Sequence, residues 1–187
     1  SNLIKNKDTV VKLIIGDALK IAINKLSEKK IILIGNLPYN IATTLILNWL
    51  KYINSFKSII VMVQKEVALR LSAEEKTKHY GRISVLIQVV ADIRIKFDVA
   101  PESFFPKPKV YSSIIEIIPK KKIEFDYHKL DKFLKISFMH RRKTLKNNLS
   151  KISANIEEKI LKCGIDPALR PEEISPNQFI KLSEELL

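Results

Sequence analysis

Residues 31–40 read Ile31-Ile32-Leu33-Ile34-Gly35-Asn36-Leu37-Pro38-Tyr39-Asn40. Four consecutive aliphatic residues of high β character, too few for a helix and bounded by Gly35, predict a buried strand. Pro38 has no amide hydrogen to donate and biases Leu37 away from helical angles, so the chain must leave the sheet in a fixed, extended turn. Residues 41–52 then restart with helical spacing at Ile41, Leu45, Ile46, Trp49 and Leu50. This is the strand–loop–helix unit of an α/β fold, and ligands of such folds bind outside the carboxyl ends of the strands. Asn36 and Tyr39 stand at that point.

The loop suits one kind of ligand. Asn36 offers an amide oxygen and an amide NH2, the carbonyls beside Pro38 are further acceptors, and Tyr39 is a flat stacking surface. Together they fit a planar base carrying an amino group. An aromatic amine is a poor nucleophile because its lone pair is delocalised into the ring. Two acceptors on its hydrogens favour a pyramidal nitrogen and aim that lone pair, which is positioning more than acid–base work. The plainer alternative is a strand-to-helix turn that Asn36 caps and Tyr39 packs against.

Working outward, residues 10–15 predict a strand closed by Gly16-Asp17, with Asp17 a good cap for a helix starting at Ala18. Residues 58–63 predict another strand, running through Gln64-Lys65-Glu66 into a helix carrying Val67, Leu69 and Leu71. A polar loop over residues 77–82 precedes an apolar helix over 83–90. Ile93, Ile95, Phe97 and Val99 alternate as a half-buried strand. Pro101, Pro106 and Pro108 make the next stretch a rigid loop, with one of Phe104 and Phe105 expected to plug the core beneath it. Residues 111–118 return as a strand, and two strands joined without a helix imply an antiparallel pair at a sheet edge.

Pro119-Lys120-Lys121-Lys122 is a solvated linker, dividing the chain into residues 1–120 and 121–187. The second part is helical. Leu130, Phe133, Leu134 and Phe138 share one face, and a further helix over 154–163 ends at Gly164. Ser175, Pro176 and Gln178 form a capping box before a stripe of Phe179, Leu182 and Leu186.

The 187 residues carry a formal charge of +13, with 46% apolar and 28% charged residues, a globular and strongly basic composition. Residues 129–151 hold eight Lys or Arg against Asp131 alone, whereas from residue 152 onward seven acids outnumber four bases. Concentrated basicity of this kind marks a face for an anionic partner such as nucleic acid. No apolar run is long enough to span a membrane, and no signal-peptide pattern opens the chain. The lone Cys163 reads as a packed side chain in a reducing, cytoplasmic setting. His79, His128 and His140 show no metal-ligand spacing, so no metal is expected.

Asn36-Leu37-Pro38-Tyr39 after an aliphatic strand resembles the catalytic loop of the rRNA adenine dimethyltransferases. Phe104-Phe105-Pro106-Lys107-Pro108-Lys109-Val110 with Ser112-Ser113, and Gly16-Asp17-Ala18, match the same family in order and spacing. The resemblance runs from about residue 10 to the C-terminus. It implies a Rossmann-like α/β domain that uses S-adenosylmethionine, followed by a small all-helical domain. Asn36 with a carbonyl of Leu37 or Pro38 grips the adenine amine, while Tyr39 and Phe104 hold the flipped base between them. Asp17 and Ala18, with Asn36, face the cofactor. Gln64-Lys65-Glu66 borders the site, and Tyr80-Gly81-Arg82 resembles the substrate-side loop. RNA phosphates fall to Arg82, Lys107, Lys109 and the basic stretch Arg141, Arg142, Lys143 and Lys146.

A family member should also carry an earlier strand, a Gly-rich loop, a helix and a second strand ending in an acid. The four glycines (16, 35, 81 and 164) are too far apart to build that loop. The expectation is a family member lacking its first third. Gly164-Ile165-Asp166-Pro167 and Arg170-Pro171-Glu172 resemble the tail of the small-subunit enzymes linked to ribosome assembly, which implies ribosomal RNA of the small subunit as partner and a monomer. The alternatives are the antibiotic-resistance relatives that act on large-subunit RNA, and a non-catalytic RNA-binding assembly protein.

Overall fold

A computed structural model of the chain describes residues 13–121 and 125–187. Four strands, β1 (Ile31–Asn36), β2 (Phe56–Gln64), β3 (Ala91–Val99) and β4 (Ser112–Pro119), form one sheet in the order β1-β2-β4-β3. β1 and β2 are parallel, joined through helix α1 (Ala42–Leu50) as the aliphatic run and its helical restart predicted. β4 inserts antiparallel between β2 and β3, which among the described residues leaves β3 at one edge and β1 at the other. The antiparallel edge pair is therefore present, with the later strand on the inside.

One face of the sheet is covered. Ile59, Val61, Ile115 and Ile117 are buried there beneath α1, α2 (Lys65–Leu71) and α3 (Arg82–Gln88). Among the described residues the opposite face is open: Ile34 is 76% exposed and Phe97 61%, and register places Ile34 beside Ile60 and Phe97 beside Ile114. β1 is thus not the fully buried strand that its composition predicts. It alternates because, among the described residues, one of its faces meets a helix, and the period of two sends Ile32 and Ile34 to the other. Phe97 reaches that face because a register shift between Ile95 and Phe97 breaks the expected alternation.

Residues 13–15 are irregular and exposed instead of strand, and the rest of the strand expected over residues 10–15 lies outside the described residues. Two short 3-10 turns, Ala18–Lys20 and Ile23–Lys25, follow, and the first packs against α1.

The tail is helical as expected: α4 (Tyr127–Ser137), α5 (Leu145–Leu149), α6 (Ile156–Lys162) and α7 (Pro176–Leu186). Ser175 and Gln178 exchange the two hydrogen bonds of a capping box, and Gly164 ends α6 with φ +74°, a conformation that costs glycine little. Phe179, Leu182 and Leu186 are buried, with Phe179 edge-on to Phe133. The helices share one continuous apolar core with the sheet side. The seam is residues 76–82, where the Lys76 amide donates to Glu172 and Arg82 pairs with Asp131 of α4. Tyr80 also lies there, wholly buried, its hydroxyl donating to the Ile174 carbonyl at 2.8 Å. The loop expected to face substrate turns its aromatic inward because a half-polar ring can bury its body and still satisfy its hydroxyl. No described helix is long and apolar enough to cross a membrane.

Candidate active site and nucleic-acid interface

The end of β1 delivers Asn36 to the carboxyl edge of the sheet, and the chain turns away at once. The Leu37 amide still bonds to the Met62 carbonyl at 3.3 Å, and the Ile41 amide closes back on the Pro38 carbonyl at 3.1 Å. Leu37 is buried and anchors the turn, which holds its neighbours Asn36 and Pro38 exposed. The Asn36 side chain has no hydrogen-bond partner among the described residues, so it neither caps nor packs.

Asn36, Leu37, Pro38, Tyr39 and Phe104 line one open cavity of about 290 Å³. These are the five residues expected at the catalytic loop, gathered from two distant segments. Phe104 is half-buried at the end of the short turn Pro101–Ser103, whereas Phe105 is fully exposed, so neither ring is the core plug expected. The prolines around them hold the loop on the surface, and Phe104 is spent on the cavity wall.

Tyr39 is fixed by a residue whose role the sequence left unstated. Its hydroxyl lies 2.6 Å from the Ser112 hydroxyl, 73 positions away, at the buried start of β4. Ser113 next to it donates to Asp98 at 2.7 Å, and Asp98 takes the Lys65 ammonium at 2.5 Å. That ammonium and then the serine hydroxyl hold the Asp98 carboxyl below its usual range. A depressed carboxylate keeps its ion pair at neutral pH and loses it only as pH falls through the lowered value.

Asp17 and Ala18 lie elsewhere. The Asp17 Oδ1 accepts from the Leu19 amide at 2.9 Å, so the expected cap is present. Ala18 lines a separate cavity of about 270 Å³ with Trp49 and Tyr52 of the α1 end. For S-adenosylmethionine, the chemistry present is the free amide of Asn36 and the exposed carboxylate of Asp17, whose second oxygen is available to an amine. The Asn36 cavity sits at the low end of ligand pockets, roughly 300–1,000 Å³, a size that suits a flat ring or the reacting end of a larger molecule. The fit to the cofactor is confined to those two side chains.

The basic residues divide by what already holds them. Arg82 is committed to Asp131, and Arg141 donates to the carbonyls of Lys78 at 3.1 Å and Tyr80 at 3.3 Å. Both guanidiniums, expected at phosphates, tie the helices to the seam, because a guanidinium near carbonyls or a carboxylate is drawn to them, while Arg141 stays exposed and Arg82 partly so. Lys107 pairs with Glu102 and Lys146 with Glu157, exposed bridges worth little and readily exchanged. Lys109, Arg142 and Lys143 have no side-chain partner among the described residues.

The turn bearing Arg142 and Lys143 is held from beneath by Asn148, which sequence reading passed over. Its Oδ1 accepts from the His140 amide at 3.0 Å, and its Nδ2 donates to the carbonyls of His140, Lys143 and Thr144 at 3.1, 3.3 and 3.2 Å. Asn148→Ala should cost about 1–3 kcal/mol, since part-buried backbone groups lose their partner. Denaturant unfolding measures that loss, and amide exchange at His140 should speed up with it. Unchanged exchange there would show that Asn148 does not hold the turn. Among the described residues, no cluster of His, Cys, Asp or Glu could hold a metal.

A family model described as ribosomal RNA adenine dimethylase matches residues 2–187. A ribosomal RNA small subunit methyltransferase A of Ehrlichia chaffeensis is 42% identical over 172 residues, covering 91% of this chain and 65% of the relative. A protein of the same name from Pelagibacter ubique is 38% identical over 190 residues, 98% of this chain and 72% of that one. The chain spans about two thirds of the length of these relatives. A crystal structure of a dimethyladenosine transferase from Plasmodium falciparum superposes with a TM-score of 0.74 at 25% identity, over 86% of this chain and 68% of that one. A 23S rRNA methyltransferase, ErmE, shares the fold with a TM-score of 0.65 at 18% identity, over 91% of this chain and 69% of the other.

Proposed function

The chain belongs to the ribosomal RNA adenine dimethylase family, and from its site geometry we propose that it positions adenosines of small-subunit ribosomal RNA for methylation at the N6 amine. The observation that carries this reading is the cavity in which Asn36, Tyr39 and Phe104 converge. Asn36 Oδ1 and the carbonyl of Leu37 or Pro38 hold the two amine hydrogens, and the rings of Tyr39 and Phe104 hold the base. An enzyme that acts on a base has to take it out of its stack and grip it in this way. When bound, S-adenosylmethionine would supply an electrophilic methyl group; Asn36 and Asp17 are the side chains that would hold it. The neutral acceptors also face the positive charge that the amine carries until it sheds a proton, and such preorganised dipoles favour the transition state.

The same reading divides the chain at residue 120, with residues 1–120 presenting the base and 121–187 holding the RNA. It acts as a cytoplasmic monomer. Lys109, Arg142 and Lys143 are the phosphate contacts, joined by Lys107 and Lys146 once their exposed bridges open. Such contacts position RNA without reading its sequence. The small-subunit names of relatives around 40% identical favour this substrate over large-subunit RNA, for which the 18%-identical structure supports the fold alone.

Two measurements test the reading. Incubation with S-adenosylmethionine and unmodified small-subunit RNA should yield methylated adenosines by nucleoside mass spectrometry; recovery of unmodified RNA alone would leave this chain an RNA-binding protein. Calorimetric titration of the cofactor should show binding that weakens about tenfold or more in Asp17→Ala, as loss of a hydrogen bond to a charged group implies. Equal binding by the variant would remove Asp17 from the cofactor site.

A further inference from the structure

The base cavity is tied through the chain to a larger depression. A groove of about 520 Å³ is walled by Lys65, Leu69, Lys78, His79, Lys109 and Tyr111. The two are joined through β4 and the loop before it: Ser112 holds Tyr39 in the first, its neighbour Tyr111 lines the second, and Lys109 lies on the loop that carries Phe104. At its far end, the Lys78 carbonyl is gripped by Arg141. Arg141 belongs to the basic turn of His140, Arg141, Arg142 and Lys143, which lines a hollow of its own of about 480 Å³. Chain adjacency at Tyr111-Ser112 and the Arg141–Lys78 bond thus link the three depressions, from the Asn36 cavity to the basic turn of the helical part.

The aromatic in this groove is built as a platform. Tyr111 is 51% exposed, so it is not core. Its carbonyl accepts from the Lys65 amide at 2.9 Å, and the Lys65 ammonium stands 5.7 Å from its ring centroid. Asp98 holds that ammonium at 2.5 Å and is itself held by Ser113. A surface ring tethered on the main chain and on one face pays little entropy on stacking. Around it lie three lysines and a histidine. The groove's acid, Glu66, is engaged by Arg70 at 2.5 Å. A flat ring among cations, with apolar wall from Leu69, is the combination that binds single-stranded nucleic acid, the ring taking a base and the cations its backbone.

We propose that this groove is the subsite for the nucleotide adjoining the target adenosine: Tyr111 stacks the neighbouring base, and Lys78, His79 and Lys109 hold its phosphates on the way to the basic turn. The assignment rests on the cavity of Asn36, Tyr39 and Phe104 being the target-base pocket. It makes the enzyme a reader of an unpaired strand beside its target, since a stacked platform cannot accept a base still in a duplex.

The test is fluorescence anisotropy with a short RNA hairpin whose loop holds one adenosine, and with the same hairpin made abasic at the nucleotide on either side. For the unaltered chain, one of the two abasic hairpins should bind about 5- to 100-fold more weakly, the range expected for one lost base–aromatic stack. Tyr111→Leu should weaken the intact hairpin by the same factor and be indifferent to that abasic site, while Tyr111→Phe retains both affinity and discrimination. An abasic penalty of equal size in Tyr111→Leu would overturn the assignment, because the neighbouring base would then sit elsewhere. Lys78→Gln gives a second reading independent of the ring: the slope of log affinity against log salt should fall by about 0.7, one single-strand phosphate contact. An unchanged slope would remove the phosphate path. If the unaltered chain binds neither hairpin in a salt-dependent way, the RNA reading itself fails, a result distinct from binding without discrimination.

Discussion

Asn36→Ala is expected to lower the rate of adenosine methylation by about 100- to 1,000-fold while leaving RNA affinity within about twofold, the range for removing one preorganised polar group from a reacting centre. The reasoning begins with the side chain's freedom. Asn36 is exposed at the end of β1 and has no partner among the described residues, so its loss breaks no internal bond. Its immediate anchor is Leu37, buried beneath the turn, which the substitution leaves alone. What disappears is an acceptor on the amine hydrogens. In the proposed reading the base would still stack between Tyr39 and Phe104, so the substrate would be held while the nitrogen lone pair would no longer be aimed.

The split between rate and affinity separates this role from a structural one. A change that lowers turnover and catalytic efficiency equally removes an interaction made only in the transition state. Asn36→Asp sharpens the test. It keeps an acceptor oxygen and adds a charge that favours the cationic nitrogen formed on transfer, so it should retain more activity than alanine. Single-turnover rates with saturating RNA measure both. Equal rates for the alanine variant and the unaltered chain, or a loss wholly in RNA affinity, would sink the assignment.

How much of this was legible beforehand differs from residue to residue. The loop at Asn36 was plain because its causes are local: an aliphatic run, a proline, and the helical spacing that resumes after it. The capping box at Ser175 and the cap at Gly164 were plain for the same reason. What escaped was set by pairing at a distance. The insertion of β4 between β2 and β3 is a matter of register between strands far apart in the chain, and no short-range period encodes it. Ser112 stood in view as part of a quoted stretch, but only that insertion brings it to Tyr39.

The charges have partners that local sequence does not reveal. Arg82 and Arg141 look like phosphate ligands in a basic sequence, yet the fold supplies Asp131 and two carbonyls first. A long cationic side chain near the start of a helix gives no sign of which acceptor reaches it. The exposed Ile34 and Phe97 carry the same lesson for apolar residues. Composition says that a strand can be buried on both faces; it does not say that a helix lies over each.

Tyr80→Ala is expected to destabilise the chain by about 3–5 kcal/mol, as loss of a large aromatic from a core does, which for a chain of this size lowers the thermal midpoint by roughly 6–20 °C. Tyr80 is wholly buried, meets the Phe138 ring edge-on at 6.3 Å, and its hydroxyl closes on Ile174, itself buried, in the helical part. Tyr80→Phe keeps the ring and removes that donor, so it should cost only about 1–3 kcal/mol. The hydroxyl also sets an alkaline limit. Burial, and then the charge of Glu75, push the phenol above its usual value. Above about pH 10 the unfolded chain releases this proton and the folded one does not, so stability falls as pH rises further. Tyr80→Phe should remove that part of the alkaline loss. Because the same loop gives Arg141 the carbonyls of Lys78 and Tyr80, loosening it also frees the basic turn from the sheet side. Tyr80→Ala should therefore broaden unfolding toward two transitions, the helices parting from the sheet before either melts. A single transition at a lowered midpoint would mean that Tyr80 only fills space and the two parts are joined elsewhere; an unchanged midpoint would remove Tyr80 from the core's stability altogether.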